Sequence, residues 1–258
     1  MAEAIPLRLC VELQDRIAAA DGLVARLSAL LRGPAARIVL TTSFGLEDQA
    51  LTHAAVEAMK QTGRTIEFAT LDTGRLFPQT HDVWAATERR YKIRIACLSP
   101  NATALAGLVA AQGIGGYRES LDNRKTCCAI RKIEPLRRVL NGADLWITGL
   151  RSNQSQARAT TPFAAWDADF GVVKISPLAD WTRDDVAQFT RDNRVPVNVL
   201  HGHGFLSIGC APCTRAVAPG EPERAGRWWW EDESRKECGL HSHPMPSLPV
   251  RALVEPVS

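Results

Sequence analysis

Alternation of β-branched runs with helical periods limits this chain more than any other feature. Arg37–Thr42 is a β-branched run that leads into Ser43-Phe44-Gly45-Leu46-Glu47-Asp48-Gln49 and a helical pattern through Met59. Ile66–Leu71 is followed by the turn Asp72-Thr73-Gly74-Arg75 and a helix from Pro78 to Arg90, and Lys92–Cys97 by a helix from Asn101 to Gln112. Strands alternating with helices imply parallel pairing through right-handed crossovers, and therefore a doubly wound α/β sheet. Ligands of such sheets sit at the carboxyl ends of the strands, where both small-residue turns fall. A strand, a small turn and a helix N-terminus aim backbone N–H groups at a phosphate, so Ser43, Gly45, Glu47, Asp48 and Thr73 are candidate nucleotide contacts.

The remaining segments fit around this unit. Apolar positions from Leu9 to Leu30 recur at helical spacing, break at Asp21-Gly22 and stop at Gly33-Pro34, which predicts a helix pair with Cys10 buried on it. Gly113 to Lys125 loses periodicity and reads as a mobile loop, ending at Cys127-Cys128, from which a helix is expected to start, bend at Pro135 and finish at Asn141-Gly142. Two further strands are expected at Leu145–Leu150 and Val172–Ser176, separated by a surface loop over Arg151–Arg158. Thr182 and Asp185 have capping-pair spacing ahead of a helix with Val186 and Phe189 on its buried face. Cys97, at a strand end, is expected in the core. After Asn193 regular structure thins out. The chain divides into a helical segment (1–34), a nucleotide-binding α/β domain (35–208) and a carboxyl-terminal tail (209–258).

Composition excludes more than it assigns. A formal charge of +3 over 258 residues argues against a protein built to coat nucleic acid or an anionic membrane. The first residues have an acid and a proline where a secretory signal needs a basic and then an apolar run, and no window reaches the length of a membrane span. A cytoplasmic setting is expected. There, seven cysteines point to metal binding, catalysis or burial before structural disulfides.

Cys210 and Cys213 form a C-x-x-C turn, which serves a metal or a redox dithiol equally well. Cys127 and Cys128 add a vicinal pair too strained to form a disulfide with each other. Two local pairs make a four-thiolate set that suits an iron–sulfur cluster, with zinc as the alternative. Cys238 is left over beside Lys236 and His241, a setting that favours an accessible thiolate nucleophile. Arg224 and Arg227 offer planar forks for sulfate or phosphate oxygens. Trp228, Trp229 and Trp230 read as packing anchors that hold the tail to the body.

From about Ala35 to His241 the chain resembles the assimilatory adenylyl-sulfate (APS) reductases, within the group that includes phosphoadenylyl-sulfate (PAPS) reductases. The resemblance rests on Ser43–Asp48, Leu71–Arg75, Cys127-Cys128 with Arg131-Lys132, Gly149-Leu150-Arg151, Ile208–Arg215, Glu223–Trp230 and Glu237–His241. It implies a mostly parallel sheet of the adenine nucleotide alpha hydrolase (PP-loop) type with a mobile carboxyl-terminal tail. It also implies thioredoxin-dependent reduction of adenylyl sulfate to sulfite and AMP, with thioredoxin or a glutaredoxin-like protein as partner. Cys238 is the implied nucleophile, forming an S-sulfocysteine. Cys127, Cys128, Cys210 and Cys213 are the implied ligands of a 4Fe-4S cluster. Lys132, Arg224 and Arg227 are the implied clamp on the sulfonate, with Arg151 and Arg158 as further candidates. Bulky Phe44 departs from the small-residue loop of ATP-cleaving relatives and speaks against ATP hydrolysis, and so against an adenylating enzyme that inserts sulfur into transfer RNA. A DNA-binding iron–sulfur sensor finds no recognition helix with a basic face and leaves Cys238 without a task. PAPS as substrate and homo-oligomerisation are left open.

Overall fold

The computed structural model of the chain describes residues 4–232. Six strands, β1 (Ile38–Thr42), β2 (Glu67–Leu71), β3 (Ile95–Leu98), β4 (Leu145–Ile147), β5 (Ala164–Asp167) and β6 (Val172–Ile175), form one sheet in the order β3-β2-β1-β4-β6-β5. Every neighbouring pair is parallel except β5 with β6. The doubly wound reading is thus correct, and the order reverses between β1 and β4, the position that opens a crevice at the carboxyl ends of the strands.

Alternate residues on each strand face opposite sides of the sheet, so both faces must be covered. Ile38, Leu40, Phe68, Leu145, Ile147, Val173 and Ile175 join the larger core under α1 (Ala4–Ala18), α2 (Leu23–Leu31) and α3 (Leu46–Thr62). The residues between them, Val39, Ala69, Trp146 and Val172, meet Leu136 and Leu140 of α7 (Glu134–Leu140) on the other face. Trp146 is almost wholly buried and donates its indole N–H to Thr41 Oγ1 at 2.8 Å, so a large ring enters this thin second core without an unpaired donor.

Local chemistry sets the helix ends. α3 starts after Gly45, with Glu47 and Asp48 in the first turn where the helix dipole favours anions, and stops at Gly63 in the left-handed region. α4 (Pro78–Tyr91) begins on proline, and α5 (Ala102–Gln112) begins after Asn101, whose side chain accepts from the Ala104 N–H at 3.0 Å. α8 (Arg183–Asp192) carries the Thr182–Asp185 capping box expected from its spacing.

Several expectations are corrected. β5 was not anticipated, because the edge run Ala164-Ala-Trp-Asp167 has little β-branched or alternating character. Cys97 is exposed, not core. The stretch before the vicinal cysteines is not a loop: α6 (Leu121–Cys128) begins there, capped by Ser120 Oγ, which accepts from the Asn123 N–H. Cys127 and Cys128 therefore end a helix, and a wide helical turn over Ala129–Ile133 joins it to α7. Periodicity fails over this stretch because the deeply buried side chain of α6 is charged: Arg124 is 1% exposed, ion-paired with Glu231 at 2.5 Å. Phe44, the bulky residue of the turn after β1, belongs to the core and not to the cleft lining. It is buried against Trp84, with ring centroids 5.5 Å apart, and its φ of 59° makes the tight turn that glycine makes more readily.

Candidate active site

At the switch point between β1 and β4 lies a cleft of about 200 Å³. Its floor is the carboxyl ends of β1, β2 and β4, represented by Thr41, Thr42, Thr70, Leu71 and Thr148. Ser43, Gly45, Glu47, Asp48 and Thr73, all expected from the sequence, line it together with Lys132, Cys210, Arg224 and Arg227. Of the candidate cations, Arg158 also reaches the cleft wall, whereas Arg151 does not line it.

The turn after β1 is held by its own carboxylate. Asp48 accepts from the Ser43 N–H at 2.6 Å and from the Ser43 hydroxyl at 2.7 Å. Burial pushes the Asp48 carboxyl up to about 6, against the opposing pull of those two bonds. Gly149 touches this region closely, since a Cβ there would sit 3.0 Å from Glu47 Cβ and overlap the Asp48 carboxylate. Glu47 is held below the usual carboxylate range: burial is the largest influence and works against it, but the charge and hydrogen bond of Arg151, a backbone N–H bond and the Gln154 amide together outweigh the burial.

Beside the cleft, Cys127, Cys128, Cys210 and Cys213 line a second cavity together with Tyr117, Arg124 and Arg131. The segment from Gly209 brings the C-x-x-C turn here, docked by the Ala211 N–H to the Arg75 carbonyl at 2.8 Å. Thr73, buried, places its Oγ1 3.2 Å from Cys210 Sγ, and Arg131 donates to the Thr73 carbonyl at 2.6 Å. Burial alone raises the Cys210 thiol, yet Lys132, the Thr73 hydrogen bond, Arg227 and Arg131 together bring it below the ordinary thiol range. Cys213 is pushed up to about 11 by burial and by Cys210. Among the described residues no group of three or more His, Cys, Asp or Glu is arranged to hold a metal ion. The four thiols instead surround a shared cavity ringed by arginines and a lysine.

Lys132, Cys210 and Trp228 line both cavities. Trp228 is 1% exposed, with the Arg124 guanidinium 4.5 Å and the Arg227 guanidinium 4.7 Å from its ring. Trp229 and Trp230 pack edge to face at 4.8 Å, and Trp230 lies against Tyr117. The tryptophans thus hold residues 228–230 to the body, as their composition predicted. Cys238, the expected nucleophile, lies outside the described residues, as do Lys236 and His241.

Residues 37–216 match the family model described as the phosphoadenosine phosphosulfate reductase domain. The chain belongs to the phosphoadenosine phosphosulfate reductase family. Within this reductase family it is 49% identical over 229 residues to a protein of Sinorhizobium fredii named adenosine 5'-phosphosulfate reductase, covering 89% of each chain. It is 48% identical over 204 residues to the protein of that name from Allochromatium vinosum, covering 79% of this chain and 78% of the other. The chloroplastic 5'-adenylylsulfate reductase 1 of Arabidopsis thaliana matches at 45% over 206 residues, 76% of this chain and 43% of that one. Among solved structures, a phosphoadenylyl-sulfate reductase from Candida auris in a phosphate complex shares the fold, with a TM-score of 0.64 and 24% identity over 81% of this chain and 96% of the other. The FMN adenylyltransferase of Candida glabrata shares it more distantly, with a TM-score of 0.51 and 13% identity over 93% and 84%.

Against this family frame, sequence reasoning missed Gln154 and Glu223 as cleft residues. Gln154 donates to Glu47 Oε1 at 3.1 Å and accepts from Arg158 Nη1 at 2.6 Å. It sits in a stretch without hydrophobic period, and polarity alone does not separate a solvated loop from a wall of polar contacts.

Proposed function

We propose that the chain reduces adenylyl sulfate to sulfite and AMP in sulfate assimilation. The observation that carries this reading is the shared wall: Lys132, Cys210 and Trp228 bound both the cleft at the strand ends and the four-cysteine cavity, with Arg224 and Arg227 lining the cleft beside them. The 49%-identical relative named for this substrate supports it.

The nucleotide would lie along β1, β2 and β4, its sulfonate end toward Lys132, Arg224 and Arg227. Those cations neutralise the sulfonate oxygens, which otherwise repel an incoming thiolate. The Cys238 thiolate attacks the sulfonate sulfur, the sulfur–oxygen bond to the phosphate breaks, and AMP leaves with that electron pair. The product is S-sulfocysteine at Cys238. A thiolate of reduced thioredoxin, or of a glutaredoxin-like protein, then attacks Cys238 Sγ. Sulfite departs with the electrons of the sulfur–sulfur bond, and the partner's second thiol resolves the mixed disulfide.

Cys127, Cys128, Cys210 and Cys213 would hold a 4Fe-4S cluster. Four thiols around one cavity fit that ligand set, and Lys132, Arg124, Arg131 and Arg227 offset the negative charge of four thiolates. When bound, the cluster supplies structure and electrostatic support to the wall that it shares with the cleft, because thiolate attack and thiol exchange need no one-electron step.

Sulfite production from adenylyl sulfate with reduced thioredoxin tests the reading. Turnover is expected with this substrate, and more slowly with its 3'-phosphorylated form. Absence of sulfite from both, in iron-loaded protein, refutes it.

A further inference from the structure

Arg151 sits under the cleft at 0% exposure, at the centre of a chain of charges that the chemistry above does not use. Its Nε and Nη2 lie 2.8 Å and 2.7 Å from Glu47 Oε1, and Nη2 also reaches both oxygens of Glu223, at 2.8 Å and 3.0 Å. Arg183 meets Glu223 at 3.3 Å and closes the chain. Glu47 belongs to the first turn of α3 on the nucleotide side, and Glu223 immediately precedes Arg224 on the sulfonate side. Gln154 ties Arg158 to the same Glu47 oxygen.

We propose that Arg151 is a positioning residue: through Glu47 and Glu223 it locks the segment carrying Arg224 and Arg227 to the nucleotide-binding turn, without touching substrate. Buried charge in low dielectric holds such a frame tightly when every partner is paired, and releases it when one is removed. The inference rests on the reductase reading above. Arg151 Nη1 is buried without an acceptor among the described residues, so a direct nucleotide contact is the competing role.

The test uses the full chain with its iron centre and no reductant. AMP affinity is measured by equilibrium titration, and the rate of Cys238 sulfonation by labelled adenylyl sulfate in a single turnover. Arg151→Met combined with Glu223→Gln keeps the summed charge of the four groups at its wild-type value. The expected result is AMP affinity within about threefold of wild type and sulfonation slower by about ten- to a hundredfold, the scale of a roughly 1 Å misplacement. Equal losses in both would overturn the proposal, because Arg151 then reaches the nucleotide or supports the fold at large. No loss in either overturns it as well. If the double variant does not fold, Glu223→Gln alone, which leaves Arg151 paired with Glu47, is expected to show the same split in smaller measure. A wild-type chain that is never sulfonated defeats the functional reading instead, and so is told apart from a failure of the positioning role.

Discussion

Replacing Gly209 by alanine puts a methyl group where the guanidinium of Arg227 lies. A Cβ on Gly209 would sit 2.6 Å from Arg227 Nη1 and closer still to Nη2 and Cζ. Arg227 is 6% exposed and packed on Trp228, so it has little room to yield. Carbon needs about 3.5 Å from its neighbours, and the guanidinium would therefore retreat by about 1 Å. A displacement of about 1 Å in a positioned group costs about a hundredfold in rate, or about 2.7 kcal/mol. The assay is the single-turnover sulfonation of Cys238, with AMP affinity measured alongside and expected to change little. Gly107→Ala is the control, because a Cβ there meets nothing within 4 Å and the residue lies inside α5. It should leave the rate unchanged and raise stability by about 0.5–1 kcal/mol. In an Arg227→Ala background Gly209→Ala should add almost nothing. A Gly209→Ala protein that sulfonates Cys238 at the wild-type rate, or one that loses as much again in the Arg227→Ala background, would refute the assignment of Arg227 to the sulfonate.

Further outcomes follow from other groups. With its folded value pushed up to about 6 from an ordinary 3.8, Asp48 binds its proton more tightly folded than unfolded. Its contribution to stability is complete below about pH 4 and is lost as pH rises toward about 6, by about 1–3 kcal/mol. Asp48→Asn should flatten urea midpoints across that window, and an unchanged slope would count against the burial of this carboxyl. Cys128→Ser and Cys213→Ser should each lower the iron content of the purified protein, while Cys238→Ser should leave iron and its absorbance intact and abolish sulfite release. Arg26 donates to both oxygens of Asp180, at 2.6 Å and 2.7 Å, and to the Pro177 carbonyl at 2.8 Å. Asp180 is half exposed, so Arg26→Met should destabilise the chain by about 1–2 kcal/mol in thermal unfolding, chiefly through the lost hydrogen bonds.

The alternating runs of the first half made the sheet legible, because strands covered on both faces and helices with one apolar face leave different periods in the sequence. The cysteine pairs and the basic residues of the cleft were legible because their spacing and chemistry are local. What escaped depends on partners distant in the chain. Arg124 gives α6 no apolar period, since its place is made by Trp228 and Glu231 about a hundred residues later. Arg151 looked like an anion contact, and only Glu47 and Glu223 closing on it from two directions reveal a buried support. β5 borrows its order from β6, and Cys97 lies within β3, the outer strand of the sheet, which pairs with β2 on one side only among the described residues.

The central claim is that this chain transfers a sulfonate group from adenylyl sulfate to its own cysteine. Anaerobic incubation of the iron-loaded protein with sulfur-labelled adenylyl sulfate, without thioredoxin, followed by peptide mass analysis, tests it most directly. The account predicts one sulfonate per chain, carried by Cys238, with an equal amount of AMP released. Label absent from Cys238 while the iron centre stays intact would contradict it.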